Sequence, residues 1–152
     1  MQMPQSLSKI IIHVVFSTKK RQRWFDPVIR CTLHSYMAGI CRGMGCQAYR
    51  VGGTDDHVHL ACGLARSVSV STLVREVKRQ SSVWLKQRGG DWTDFSWQTG
   101  YAAFTIGQSQ QEALFRYIDA QMEHHKTMTF QEEYRIFLDR YGIAYNDKYM
   151  WD

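Results

Sequence analysis

The ten residues Lys9 to Thr18 (Lys-Ile-Ile-Ile-His-Val-Val-Phe-Ser-Thr) constrain the fold more than any other stretch. They are so rich in β-branched residues that they read as a strand, and their near-continuous apolar character makes it a central one. A central strand needs partners on both sides. Cys46 to Val51 supplies one, and Gly52-Gly53-Thr54-Asp55 would turn it into a hairpin with the run Val58-His59-Leu60-Ala61-Cys62. Because strand side chains alternate, His57, His59 and Ala61 would share one face and Val58, Leu60 and Cys62 the other. A further strand is expected near the end of the aromatic segment Trp92 to Ile106.

Helical patterns separate these strands. Asp26-Pro27 is a helix start, with Asp as N-cap and Pro at the first helical position. Val28, Ile29, Leu33, Tyr36, Met37 and Ile40 then recur at helical spacing, up to a stop at Gly43 to Gly45. A second helix begins at Ser69 to Ser71, turns Val70, Leu73, Val74, Val77, Trp84 and Leu85 inward, and ends at Gly89-Gly90-Asp91. Ser109-Gln110-Gln111-Glu112 fits a capping box opening a third helix, and Thr129-Phe130-Gln131-Glu132 fits another opening a last one. The tail Ile143 to Asp152 carries Tyr145, Tyr149 and Trp151, too aromatic for a free end, so it is expected to pack on a neighbouring surface. No internal repeat, low-complexity tract or linker interrupts the chain.

At 152 residues this is one domain's worth of chain, residues 1–152, and 44% hydrophobic with 22% charged residues excludes a disordered chain. The net charge of +5 suits a polyanionic partner without requiring one. Cys31, Cys41, Cys46 and Cys62 form no Cys-x-x-Cys pair. The apolar run at Ile10-Ile11-Ile12 is too short for a signal peptide or a membrane span, and its cations follow it. The expectation is a reduced cytoplasmic protein with no membrane contact.

Four groups of residues carry chemistry. The first is Asp56-His57-Val58-His59-Leu60, whose imidazoles sit two apart on one strand face, roughly 6.5–7 Å from Cα to Cα, close enough to share one ion. Surface strands also carry such pairs by chance, and Asp55 and Asp56 read as turn residues. The second is the loop Lys19-Lys20-Arg21-Gln22-Arg23-Trp24-Phe25, where cations suit phosphates and aromatic faces suit unpaired bases. Equally, it reads as a solvated basic loop with both aromatics in the core. The third is the outer side of the second helix, Arg75, Lys78, Arg79, Lys86 and Arg88, one-signed apart from Glu76 and therefore a candidate phosphate-facing surface. The fourth is the stripe Leu114, Tyr117, Ile118, Gln121, Met122 and His125, with His124 beside it. Most tyrosines on apolar faces only pack, and the stripe alone does not make Tyr117 a nucleophile. His13, inside the first strand, reads as a core histidine with a satisfied ring.

Taken together, these motifs resemble a known family. Asp56-His57-Val58-His59-Leu60, a basic helix and then Tyr117-Ile118-Asp119-Ala120-Gln121-Met122-Glu123-His124-His125 are similar to the single-tyrosine transposases of small bacterial insertion sequences, named for their His-hydrophobe-His (HUH) motif. The opening Phe16-Ser17-Thr18-Lys19-Lys20-Arg21 and the closing Phe130-Gln131-Glu132-Glu133-Tyr134 with Tyr149-Met150-Trp151 resemble it too, so the likeness spans nearly the whole chain.

The resemblance implies an α+β, ferredoxin-like antiparallel sheet of the HUH endonuclease type, with helices on one face and both histidines on a central strand. It implies a nucleophile at Tyr117 and a divalent metal, Mg²⁺ or Mn²⁺, held by His57, His59 and Gln121. It further implies hairpin-bearing single-stranded DNA gripped by Lys19, Lys20, Arg21, Arg23, Arg75, Lys78 and Arg79, and a homodimer in which one subunit's tyrosine helix can complete the other's site. Host-resident relatives acting on repeated palindromes often have Asn where this chain has Gln121, which favours the mobile-element branch. Two rivals stand beside this reading. One is a non-catalytic hairpin-DNA-binding relic; the other is a zinc hydrolase using His57, His59 and His124 or His125.

Overall fold

The computed structural model describes residues 4–152. Strands β1 (Ile11–Ser17), β2 (Gln47–Gly53), β3 (His57–Gly63) and β4 (Ala102–Ile106) form one antiparallel sheet in the order β2-β3-β1-β4. The β-branched first strand is central, as its composition requires, and its neighbour β3 places Val15 opposite His59 and Ser17 opposite His57. Helices α1 (Pro27–Gly43) and α2 (Val70–Lys86) make the two crossovers, so the order β-α-β-β-α-β gives the expected ferredoxin-like arrangement.

Strand alternation sorts the sheet into two unlike faces. Ile12, Val14, Phe16, Val58, Leu60 and Cys62 pack with Leu33, Met37, Leu73, Val77 and Leu85 of α1 and α2 into the main core. Asp26 caps α1 by accepting the Val28 and Ile29 amides, and Ser69 caps α2 by accepting that of Thr72. Phe25 and Phe95 close one end of this core, with Trp24 packed against it. The aromatics of the basic loop are therefore structural, while Lys19, Lys20, Gln22 and Arg23 are exposed and Arg21 is half-buried. The opposite face presents His13, Val15, His57, His59 and Ala61. The expectation of helices on one face describes α1 and α2; this second face is covered as well, by α3 (Gln111–Asp119), α4 (Gln121–His124) and α5 (Phe130–Arg140). It has to be covered, because a strand apolar on both sides cannot leave one side in water.

The third helix departs from its expected form in two respects. Ser109 is no cap: Gln108–Gln110 form a single 3₁₀ turn in which the Gln110 side chain accepts the Gly107 amide at 3.2 Å. The helix also breaks at Ala120 (φ −99°, ψ 17°), and Gln121 beyond the break is buried under the sheet. The last helix is capped by Thr129, which accepts the Glu132 amide. The aromatic tail returns to the fold as expected for Trp151, which packs on Phe130 and Tyr134, whereas Tyr149 stays exposed.

Gly52 lets the tyrosine helix approach the sheet. A Cβ at this position would lie 2.6 Å from Ile118 Cγ2 and 2.7 Å from the Ile118 carbonyl oxygen, one residue from Tyr117. Gly52→Ala should therefore push α3 outward and cost about 1–3 kcal/mol by overpacking, measured by urea unfolding.

His34, half-buried on α1, should set part of the acid limit of stability. Burial first, then Arg30 and His57, lowers its pKa to about 4. The unfolded chain then binds a proton from about pH 6.5 downward that the folded chain refuses, so stability falls between pH 6.5 and 4 by at most about 3 kcal/mol. His34→Gln should flatten that limb in an acid titration followed by circular dichroism.

Candidate active site

The second face of β3 is where the polar groups gather. His57 and His59 are both 0% exposed, and Gln121 and Glu133, from α4 and α5, are each 1% exposed. Burial of four polar side chains together is affordable only because each is engaged. Each imidazole is held from behind. The Nδ1 of His57 donates to Asp56 Oδ1 at 2.8 Å, with Thr54 Oγ1 2.9 Å away and itself donating to the same carboxylate oxygen. The Nδ1 of His59 lies 2.8 Å from His13 Nε2, and the two rings stack. A ring nitrogen fixed in this way leaves the other, Nε2, as the atom presented to the site.

Both Nε2 atoms face the helices. That of His57 lies 3.0 Å from Gln121 Oε1 and 3.6 Å from Glu133 Oε1, and that of His59 lies 2.9 Å from Glu133 Oε1. His125 Nε2 is buried, 3.2 Å from Glu133 Oε2 and without a well-aligned hydrogen bond. One ligand atom from each of His57, His59, His125 and Glu133 falls within 4.8 Å of the other three. His57 Nε2 and Gln121 Oε1 face one another at 3.0 Å, and a cation between them would take both as ligands. The donor set thus fits a divalent metal ion, with nitrogen and oxygen ligands suited to Mn²⁺ or Mg²⁺.

Tyr117 reaches the same place from α3. Its hydroxyl donates to Glu133 Oε2 and lies 3.1 Å from His124 Nε2, and its ring stands edge-on to His59 at 5.8 Å. Burial, followed by the adjacent Glu133 charge, raises its pKa above the ordinary phenol value. Glu133 itself is pushed up by burial, but His59, His125 and His57 outweigh that and hold it well below the carboxylate range. The four residues expected at the centre, His57, His59, Tyr117 and Gln121, are therefore brought together within one chain. His125 belongs to the cluster, while His124 turns to the tyrosine.

Three participants are visible in the sequence without a role at the site. Asp56 reads as a turn residue yet orients His57. His13 is a satisfied core histidine whose partner is His59. Glu133 sits beside Glu132 at a helix start, where acids are ordinary. Its one signal is position, since it falls between Phe130 and Phe137 on the stripe that α5 turns inward.

The basic residues divide. Lys19, Lys20 and Arg23 are exposed, Arg23 lying 3.7 Å from Asp55, and Lys20 and Arg21 both adopt left-handed backbone (φ 57° and 54°). Arg21 lies over Trp151 and lines, with Arg23, Asp56, His125 and Lys126, a cleft of about 630 Å³ that reaches His125 of the cluster. Arg75 and Arg79 are exposed on α2, Arg79 paired with Glu76. Lys78, half-buried, is engaged within the fold. Its ammonium donates to the carbonyls of Gln98, Thr99 and Gly100 at 2.7–3.2 Å and serves the loop before β4.

Comparison with known proteins adds a family context. The family model described as "Transposase IS200 like" matches residues 6–121. The chain is 27% identical over 120 residues to the transposase for insertion sequence element IS200 of Salmonella typhimurium, covering 75% of this chain and 78% of that protein, and the Salmonella typhi protein matches equally. Among solved structures, a candidate transposase from Deinococcus radiodurans R1 superposes with a TM-score of 0.62 at 19% identity, covering 80% of this chain and 98% of that one. A REP-associated tyrosine transposase bound to a REP hairpin superposes with a TM-score of 0.60 at 15% identity, covering 82% and 74%.

Proposed function

Because the chain belongs to the IS200-like transposase family, we propose that it cleaves and rejoins single-stranded DNA through a 5′-phosphotyrosine bond on Tyr117, assisted by a divalent metal. The observation that carries this reading is the meeting of the Tyr117 hydroxyl with the His57, His59 and Gln121 cluster around one carboxylate. A bound ion, held by His57, His59 and Gln121, would offset the charge on a scissile phosphate's non-bridging oxygen. Everything else falls to the protein. Asp56 and His13 fix the imidazole rings, and the neighbouring carboxylate keeps the phenol protonated until phosphate arrives. The phenol loses its proton and forms the Tyr117–phosphorus bond as the bond from phosphorus to the 3′ oxygen breaks and that oxygen gains a proton, so the bond energy is conserved and a second hydroxyl rejoins the strand without a nucleotide cofactor.

Hairpin-bearing single-stranded DNA is the substrate class, supported by the hairpin-bound structural neighbour and by the cations Lys19, Lys20, Arg21, Arg23, Arg75, Lys78 and Arg79, of which all but Arg21 and Lys78 are exposed. A homodimer would hold two DNA ends, the tyrosine helix of each subunit serving its own site or completing the partner's. Free cysteines among the described residues and the absence there of any helix long and apolar enough to cross a membrane are compatible with action in the cytoplasm. The test is incubation with hairpin-bearing single-stranded DNA and Mn²⁺, followed by a denaturing gel. A DNA band retarded by covalent protein is expected; cleavage without attachment, or no cleavage, would overturn the proposal.

A further inference from the structure

We propose that Glu133 is itself a metal ligand, so that the ion on His57 and His59 also fastens α5 to the sheet. This rests on the transposase reading and extends its metal site to a helix outside residues 6–121, the part the family model matches. The two oxygens of Glu133 face different groups. Oε1 is turned to the strand imidazoles, 2.9 Å from His59 Nε2 and 3.6 Å from His57 Nε2. Oε2 is turned to the helices, toward the Tyr117 hydroxyl, Gln121 Nε2 at 3.3 Å, His125 Nε2 at 3.2 Å and His124 Nε2 at 3.3 Å.

Both strand histidines have their Nδ1 atoms occupied, so the two nitrogens available to an ion are the two that look at Oε1. Donors of a shell with bonds of about 2.0–2.2 Å stand roughly 3–4.4 Å apart, close to the spacing found here.

Charge argues the same way. Glu133 is almost wholly buried, and among the described residues no lysine or arginine pairs with it. Two neutral imidazoles and an amide leave a divalent ion's charge uncompensated in such a site, and Glu133 is the anion positioned to balance it. A ligand contributed by α5 makes metal binding and the docking of that helix mutually reinforcing.

The test is calorimetric titration of the metal-free full chain with Mn²⁺ alone, beside Glu133→Gln, Glu133→Asp and His57→Ala, each checked for folding by circular dichroism in EDTA. Glu133→Gln should weaken Mn²⁺ binding by at least about tenfold and reduce the Mn²⁺-induced rise in Tm, with partial recovery in Glu133→Asp. Wild-type affinity in a folded Glu133→Gln, with binding lost in His57→Ala, overturns this proposal and leaves the transposase reading standing. No Mn²⁺ binding by the unmodified chain overturns the metal reading itself. Anomalous diffraction from Mn²⁺-loaded crystals of the unmodified chain needs no variant. An ion in bonding distance of a Glu133 oxygen is expected, and one held by His57 and His59 with Glu133 turned away overturns the proposal.

Discussion

Tyr117→Phe should eliminate the covalent protein–DNA adduct, a loss on the order of 10⁴-fold or more, while hairpin binding stays within about twofold of the unmodified chain. The substitution removes one oxygen and nothing else. The ring keeps its edge contacts with His59 and Phe137, so the shape of α3 against the sheet is retained. What disappears is the hydroxyl that donates to Glu133, and with it the only atom at this position able to attack phosphorus. Glu133 loses one donor but keeps His59 and Gln121, so the expected stability cost is only about 1 kcal/mol. A non-catalytic hairpin-binding protein makes the opposite forecast, with DNA handling indifferent to the change. A denaturing gel for the adduct and a native gel for binding, run on the same samples, separate the two.

His59→Ala should have a comparable effect on cleavage and a far larger one on the fold. Partners that merely orient a metal ligand are worth 10- to 100-fold in affinity or activity, so loss of a ligand should cost at least about 100-fold in adduct formation. The stability effect has a separate origin. His59 lies between His13 and Glu133, and its removal leaves a cavity with a buried carboxylate short of a partner. Breaking a buried charged contact from one side costs about 3–5 kcal/mol. Unfolding in EDTA measures that cost without the metal, and metal titration measures the other loss. A variant that folds as stably as the parent and still forms adduct would remove His59 from the site.

Much of the fold can be read from periodicity because its strands and crossover helices bury one side each. The alternation in Val58 to Cys62 already separates the core-facing Val58, Leu60 and Cys62 from the site-facing His57 and His59, and the spacing of Leu33, Met37 and Ile40 defines the buried side of α1. The exceptions share a cause. The break at Ala120, the cover given by α5 to the second face and the engagement of Lys78 with three carbonyls are all set by contacts distant in sequence. Lys78 shows this plainly: its place in a row of cations suits phosphate, and only the loop at Gln98 to Gly100 reveals what the ammonium holds. The centre of the site is legible as residue types, His57, His59, Tyr117 and Gln121. Its support is not, because an acid at a helix start and a histidine in a strand have common uses that local sequence does not distinguish from orienting a ring or balancing an ion.

Peptide mass spectrometry addresses the nucleophile directly. After reaction with hairpin-bearing single-stranded DNA and Mn²⁺, nuclease trimming and proteolysis, the peptide containing Tyr117 should carry a nucleotide joined through its 5′ phosphate to the phenol oxygen. A nucleotide attached to Tyr134, Tyr141 or any other residue, or cleaved DNA with every tyrosine unmodified, would contradict it.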